Sequence, residues 1–355
     1  VKMSEEMQNA AIEEAVKEPQ VNKDEKKLDQ AVPYSRFNEV VKERNELKSK
    51  MENIKFSKCN LEASQISLGC MRIAELNIQE ISKLVNTALD EGINFFDHAD
   101  MYGGGQSESK FSQSIEMNPL LREKMILQSK CGIRKHSFDF SKEHILDSVD
   151  GSLKRLKTDY LDILLLHRPD ALVEPEQVAE ALSVLEENGK VKYFGVSNQN
   201  PMQIELLNKF VKQPLIINQL QLSITNTGMI DSGINVNMEI DSGINRDGSI
   251  LDYCRLKEIT IQPWSPFQYG FFGGSFLNNA KYEELNKTID VIAASRNETN
   301  ITIAIAWLLR HPAQMQPIIG TTNMTRVRES CRASGIKLTR KEWYDIYLAA
   351  GNKLP

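Results

Sequence analysis

Cysteine is too sparse and too scattered to organise this chain. The five cysteines (Cys59, Cys70, Cys131, Cys254, Cys331) are odd in number and show no Cys-x-x-Cys pair. Neither a disulfide framework nor a zinc site is therefore expected, and a reducing compartment is the natural setting. No apolar run approaches the roughly 20 residues that cross a bilayer, and the polar N-terminal stretch is unlike a secretory signal. An excess of positive charge is missing as well: formal net charge is −5, with both signs spread along the chain. That leaves no electrostatic footprint for nucleic acid or an anionic membrane. The expectation is a cytoplasmic protein, a monomer or weak oligomer, with neither nucleic acid nor membrane as partner.

Aromatic residues are absent before Tyr34, and Glu, Lys, Asp, Asn and Gln dominate the chain up to about Asn53. Such a composition buries too little apolar surface to offset its ordering entropy. Residues 1–53 therefore read as a charged extension, partly helical or disordered, ahead of a compact region over 54–355. From Ser35, an N-cap candidate, a helix can run to Met51 with Phe37, Val40, Leu47 and Met51 at a/d spacing and Arg44 interrupting the seam. Two heptads are too few for a coiled coil. The Val-Pro-Tyr-Ser-Arg-Phe run before this charged segment resembles, over a short stretch, the start of some bacteriophage scaffold-type proteins.

From Ile66 onward, apolar strands and amphipathic helices alternate. Strands are expected at Ile66–Met71, Ile93–Ala99, Met125–Lys130, Leu161–His167, Val191–Val196, Ile216–Leu222, Ile259–Trp264 and Gln316–Ile319, with helices between them. Continuous apolar strands alternating with helices over roughly 300 residues are the pattern of an α/β fold of the (β/α)8 TIM-barrel type. The first strand–helix junction, Met71-Arg72-Ile73-Ala74, carries no Gly-x-Gly-x-x-Gly, which argues against a Rossmann sheet. Two connections are long. Ser223–Ser249 contains Asp-Ser-Gly-Ile-Asn twice, at 231–235 and 241–245, and reads either as a short duplicated hairpin or slipped insertion, or as a lid over the barrel mouth. Phe267–Gly274 is aromatic and glycine-rich, suited to a flat ligand or to packing on itself.

Ionisable groups cluster where three strands end. The second strand closes on Asp97, with Tyr102 on the glycine turn beyond it; the third ends in Lys130; the fourth ends in His167. Each alone has a plain structural explanation. In a barrel, however, adjacent strands bring their C-terminal ends to one face, the face that carries chemistry.

On these residues the sequence resembles an aldo-keto reductase, of the bacterial subgroup with Asp-His-Ala-Asp-x-Tyr-Gly and Leu-His-Arg-Pro-Asp, from about Ile54 to the C-terminus. The resemblance implies a catalytic tetrad of Asp97, Tyr102, Lys130 and His167, a small-molecule carbonyl substrate and NADP (NADPH) as cofactor. It implies carboxamide contacts from Ser197, Asn198, Asn218 and Gln219, and a ring stacked on the nicotinamide from Trp264-Ser265-Pro266. It implies a 2′-phosphate loop at Gly320, Thr321, Thr322 and Arg326. Many relatives open that loop with lysine; here Gly320 stands there, so the phosphate grip falls to Arg326 and Thr321. In such a reaction Tyr102 is the proton donor, and a neighbouring Lys130 ammonium is expected to lower its pKa.

Two other readings compete. Asp97, His98, Asp100, Lys130 and His167 can be recast as a metal site, although the chain has only five histidines and His136, His144 and His311 fall outside the strand ends. An NADPH-binding barrel with little turnover, serving as a sensor or assembly subunit, is the second.

Overall fold

The computed structural model describes residues 51–355. The helix expected from Ser35 and the scaffold-like run lie outside the described residues. Two short strands come first, β1 (Asn53–Lys55) and β2 (Glu62–Ser64), paired antiparallel as a hairpin. Eight parallel strands follow: β3 (Ser67–Gly69), β4 (Phe95–Asp97), β5 (Ile126–Cys131), β6 (Leu161–Leu166), β7 (Val191–Ser197), β8 (Leu215–Gln221), β9 (Thr260–Trp264) and β10 (Ile318–Ile319). Their order is β10-β3-β4-β5-β6-β7-β8-β9, the sequential order of a (β/α)8 barrel. The ring closes between β9 and β10, where Ile261 N donates to Gln314 O at 3.0 Å and Gln316 N donates to Ile261 O at 2.9 Å.

Side chains alternate across each strand, so one strand serves two cores. Ile54, Phe56, Ala63, Phe95, Ile126, Ile163, Leu165, Ile216 and Ile217 form one buried cluster. Into it the hairpin drives Phe56, whose ring stacks near Phe95 at 6.4 Å. The intervening positions Phe96, Leu127, Leu164, Leu166 and Phe194 belong to a second cluster, shared with the helices. On β5 the alternation sets Gln128 and Lys130 in phase with Ile126, while Leu127 and Cys131 join the helix-side core.

Helix starts follow capping chemistry. Asn77 and Glu80 make a reciprocal capping box at the Ile78–Asp90 helix, and Thr339 and Glu342 make another at the Arg340–Ala349 helix. That last helix is not among those expected from the apolar pattern. It docks through Trp343, which stacks on Trp307 at 4.8 Å while each indole N–H donates to the other residue's carbonyl, at 3.0 and 3.1 Å.

The repeated Asp-Ser-Gly-Ile-Asn does not form a hairpin. The first copy lies in a helix, Gly228–Ile234, and the second opens with a 3-10 turn, Asp241–Gly243. Identical pentapeptides diverge because their surroundings differ. Asp231 accepts bonds from Tyr347 Oη at 2.7 Å and Thr227 Oγ1 at 3.0 Å, whereas in the second copy Ile244 is half exposed and no strand partner is offered.

Candidate active site

Asp97 ends β4, Lys130 stands near the end of β5, and His167 follows β6 directly. Tyr102 reaches the same place from the turn after β4. That turn has room for little but glycine: Gly103 and Gly105 sit at φ +58° and +88°, where L side chains are strained. A Cβ on Gly103 would also lie 2.5 Å from Ala74 Cβ, and one on Gly105 would lie 2.9 Å from Arg155 Cδ.

Lys130 is the hub. Its fully buried ammonium donates to Asp97 Oδ2 at 2.8 Å, to the His98 carbonyl at 2.7 Å and to Tyr102 Oη at 3.1 Å. All three ammonium hydrogens are thereby used, and the Tyr102 hydroxyl keeps its own hydrogen for another acceptor. His167 stands edge-on to Tyr102, ring centroids 5.9 Å apart, with Nδ1 unpartnered. The four side chains named from sequence thus meet at one end of the barrel.

Electrostatics refine the expectation about Tyr102. Tyr102 is half-buried, and burial pushes the phenol above its ordinary value while Lys130 pulls it only partly back. The expected net lowering does not occur, because burial outweighs the ammonium, and Asp97 adds to the rise. Burial alone would lower Lys130, yet Asp97 and Tyr102 outweigh it and the ammonium is held above its usual value. His167 is driven well below the usual imidazole range by burial, then by Lys130 and Arg168, so its ring is neutral. A protonated phenol beside a fixed ammonium and a neutral imidazole can give up a proton and stabilise the phenolate left behind.

Residues expected around a cofactor line the adjoining strand ends. Ser197 Oγ donates to the Gln219 carbonyl at 3.2 Å and accepts from Asn198 Nδ2 at 2.6 Å. Asn198, at φ +57°, in turn accepts from Trp264 Nε1 at 3.0 Å, which fixes the indole. Asn218 points elsewhere, donating to the Gln199 carbonyl at 2.9 Å. Gln219 Nε2 reaches Asp97 Oδ1 at 3.1 Å and Gln262 Oε1 at 3.1 Å, so both amide hydrogens are engaged and only its oxygen remains for a ligand. Ser265 takes a left-handed φ of +55°, and Pro266 after it is buried. In the Gly320–Arg326 loop, Asn323 caps the Met324–Arg332 helix, accepting from Arg326 N at 3.1 Å, and Thr321 Oγ1 accepts from Asn323 N at 3.2 Å. Thr322 is half-buried and the Arg326 side chain is exposed. These groups suit a nicotinamide dinucleotide: a braced indole face, amide groups beside it, and a helix start carrying a cation.

Several residues of the site escaped the sequence reading. Arg72 Nη1 lies 3.4 Å from the Gly320 carbonyl, a second cation at the loop where lysine is missing. Arg168 is half-buried, its guanidinium 5.6 Å from the Trp264 ring centroid, and no carboxylate among the described residues pairs with it. Glu108 is fully buried, accepting from Ser129 Oγ at 2.6 Å and Arg155 Nε at 2.8 Å. The only available signal for Arg168 was its place directly after His167. Phe271 and Phe272 of the aromatic loop gather on Trp264, at centroid distances of 6.2 and 6.1 Å.

The recast metal site does not assemble in this geometry. His98 packs edge-on against Phe111 at 4.6 Å, and Lys130 rather than a third ligand occupies the space beside Asp97. Among the described residues no three His, Cys, Asp or Glu side chains are gathered as metal ligands. Among the same residues, no helix is long and apolar enough to cross a membrane.

Comparison with known proteins bears on this geometry. A family model described as "Aldo/keto reductase family" matches residues 65–348. The oxidoreductase YcsN of Bacillus subtilis is 36% identical over 308 residues, covering 82% of this chain and 95% of that protein. A 6-dehydroglucose reductase of Agrobacterium fabrum is 33% identical over 306 residues, covering 82% and 96%. Among solved structures, the thermostable aldo-keto reductase Tm1743 in complex with the inhibitor epalrestat superposes with a TM-score of 0.68. It shares 25% sequence identity and covers 84% of this chain and 100% of its own.

Proposed function

The chain belongs to the aldo/keto reductase family, and from that premise we propose that it reduces aldehyde or ketone carbonyls to alcohols with NADPH, Tyr102 donating the proton. One observation carries the reading: a single buried ammonium, Lys130, bonded at once to Asp97 and Tyr102. NADPH, when bound, supplies the hydride. The protein's own groups handle the oxygen. A substrate carbonyl seated between Tyr102 and neutral His167 receives hydrogen bonds from both, which aligns it and stabilises charge building on oxygen. Tyr102 then transfers its proton, and the phenolate is held by the ammonium already in place. Asp97 keeps Lys130 charged and aimed.

Trp264, braced through Asn198, and the Gln219 oxygen are the groups suited to the nicotinamide end. Arg326, with Arg72 nearby, is suited to the adenosine 2′-phosphate. Arg168 favours an oxygen-rich or anionic substrate, since a half-buried guanidinium without a carboxylate has donors to spare. A sugar aldehyde is a natural first candidate, given the activity for which the Agrobacterium relative is named.

Steady-state NADPH oxidation with a panel of aldehydes and sugar-derived carbonyls tests the reading. Turnover with at least one is expected. Tight NADPH binding without turnover on any would favour the sensor alternative instead. Arg326→Ala should weaken NADPH more than NADH, by about 1.5–3 kcal/mol for a lost charge-assisted bond. Equal losses for both cofactors would remove the 2′-phosphate from this loop.

A further inference from the structure

Beneath Asp97 the barrel is crossed by amides rather than filled by hydrocarbon. Gln128, Gln219, Gln262 and Gln316, on or beside β5, β8, β9 and β10, are all buried. An isolated amide has no intrinsic direction, because its oxygen and nitrogen are nearly isosteric and either end can face a neighbour. Here the direction is fixed at both ends, by the Ser64 carbonyl and by the Asp97 carboxylate, neither of which can donate. Gln316 Nε2 lies 2.7 Å from the Ser64 carbonyl, a group that can only accept, so the nitrogen must face it. Gln316 Oε1 then accepts from Gln262 Nε2 at 2.9 Å. Gln262 Oε1 in turn accepts from Gln128 Nε2 at 2.9 Å and Gln219 Nε2 at 3.1 Å. Each of those two sends its second hydrogen to Asp97 Oδ1, at 2.5 and 3.1 Å. Reversing any link would set oxygen against oxygen at the next one.

We propose that this amide chain, anchored on the Ser64 carbonyl, is a positioning device for the proton donor. It holds two N–H groups on Asp97 Oδ1, so that Oδ2 is the oxygen left to grip Lys130. Gln262 and Gln316 are on this account positioning residues, although neither bonds Lys130 or Tyr102. The chain also dictates that Gln219 meets a ligand as an acceptor. This rests on the carbonyl-reductase reading, since it is turnover that the chain supports. The charged and titratable groups bearing on the cluster are Asp97 of β4, Lys130 of β5, Tyr102, Cys70 after β3, His98 and Glu108 near β4, and His167 with Arg168 after β6.

Two substitutions at Gln316 test the chain in the full-length protein. Gln316→Met cuts the anchor and should lower kcat on the order of 10-fold or more at every pH, through a misaimed Lys130. Gln316→Glu behaves differently. A protonated carboxyl can donate to Ser64 O and accept from Gln262, whereas the ionised form cannot donate. The glutamate variant should therefore work at low pH and lose kcat as pH rises, a limb absent from both wild type and Gln316→Met. If both variants fold, bind NADPH and keep the wild-type kcat profile, the proposal is overturned. Should they fail to fold, neutron diffraction of the deuterium-exchanged wild type decides: deuterons on Gln262 Nε2 facing Gln316 are expected, and the reverse orientation overturns the chain. A wild type inactive on every carbonyl would sink the proposed reaction, while the neutron result would still judge the amide direction.

Discussion

At the scale of single residues, Tyr102 is a phenol that burial raises rather than lowers, so on the proposed mechanism it stays protonated until the substrate oxygen takes its proton. Tyr102→Phe keeps the ring and removes one hydroxyl, so NADPH binding should survive while kcat falls about 10²–10⁴-fold. Lys130→Met should cost a similar amount by leaving the phenolate uncompensated, and near-wild-type turnover in either variant would refute the mechanism. Asp100, in the same turn, gives a pH signature. Burial, helped by the Glu108 carboxylate, raises its pKa from 3.8 to about 6, and its Oδ1 is buried without a partner. The sign follows directly. Between those values the folded state holds this proton more tightly than the unfolded chain does, so the residue's contribution to stability rises as pH falls from about 6 towards 4. Above pH 6 its ionised form is a penalty of roughly 1–3 kcal/mol. Asp100→Asn should therefore raise the melting temperature at pH 7.5 and flatten its rise on acidification. A variant that melts lower at neutral pH would show that the carboxylate is stabilising. The inward phase of Asp97 and Lys130 was legible, because strand alternation needs only counting. Arg168, Arg72 and the load on Glu108 were not, because each depends on partners distant in sequence.

At the scale of elements, strands and helices of the barrel were readable wherever apolar periodicity was strong. What escaped were pieces whose stability is tertiary. The Gly228–Ile234 helix has a glycine at each end of its core, and it exists where Asp231 meets Tyr347 across 116 residues of sequence. The Arg340–Ala349 helix carries a capping box and a buried face of Trp343, Ile346 and Tyr347, but that face spans little more than one turn and finds its partner, Trp307, far back in the chain. These two late elements hold each other. Tyr347→Phe should cost roughly 1–3 kcal/mol, the range for a hydrogen bond to a charged group. Asp231→Asn should cost less, since an amide oxygen still accepts. A double-mutant cycle on urea unfolding should return a coupling energy above about 0.5 kcal/mol, and additive losses would mean that the 2.7 Å contact contributes nothing. Neither variant should alter kcat, because neither side chain bonds a residue of the Lys130 cluster.

At the scale of the whole molecule, Met51 and Glu52 already belong to the barrel although their composition matches the charged stretch before them. The charged bias persists to Asn53, yet Glu52 N donates to Ser334 Oγ at 2.8 Å, Gln65 N donates to the Glu52 carbonyl at 2.9 Å, and Met51 packs on the main core. A Cβ on Gly92 would approach Met51 Cβ to 2.9 Å, a measure of how closely that side chain is seated. Three-residue strands set in polar sequence leave almost no periodic signal, which is why the β1–β2 hairpin was not expected. It nonetheless supplies Ile54, Phe56 and Ala63 to the barrel interior, and its last residue, Ser64, supplies the carbonyl that anchors the glutamines. Removing residues 1–50 should therefore leave melting temperature and kcat close to those of the full chain. Removal through Ser57 should not, because burying Ile54 and Phe56 is worth roughly 1.5–3 kcal/mol each. Thermal unfolding and NADPH oxidation of the two truncations, measured side by side, check the boundary. A large loss in the shorter deletion would show that residues before Met51 pack on the barrel. No loss in the longer one would mean that the hairpin is not a structural floor, and the anchor for the amide chain would then have to hold without it.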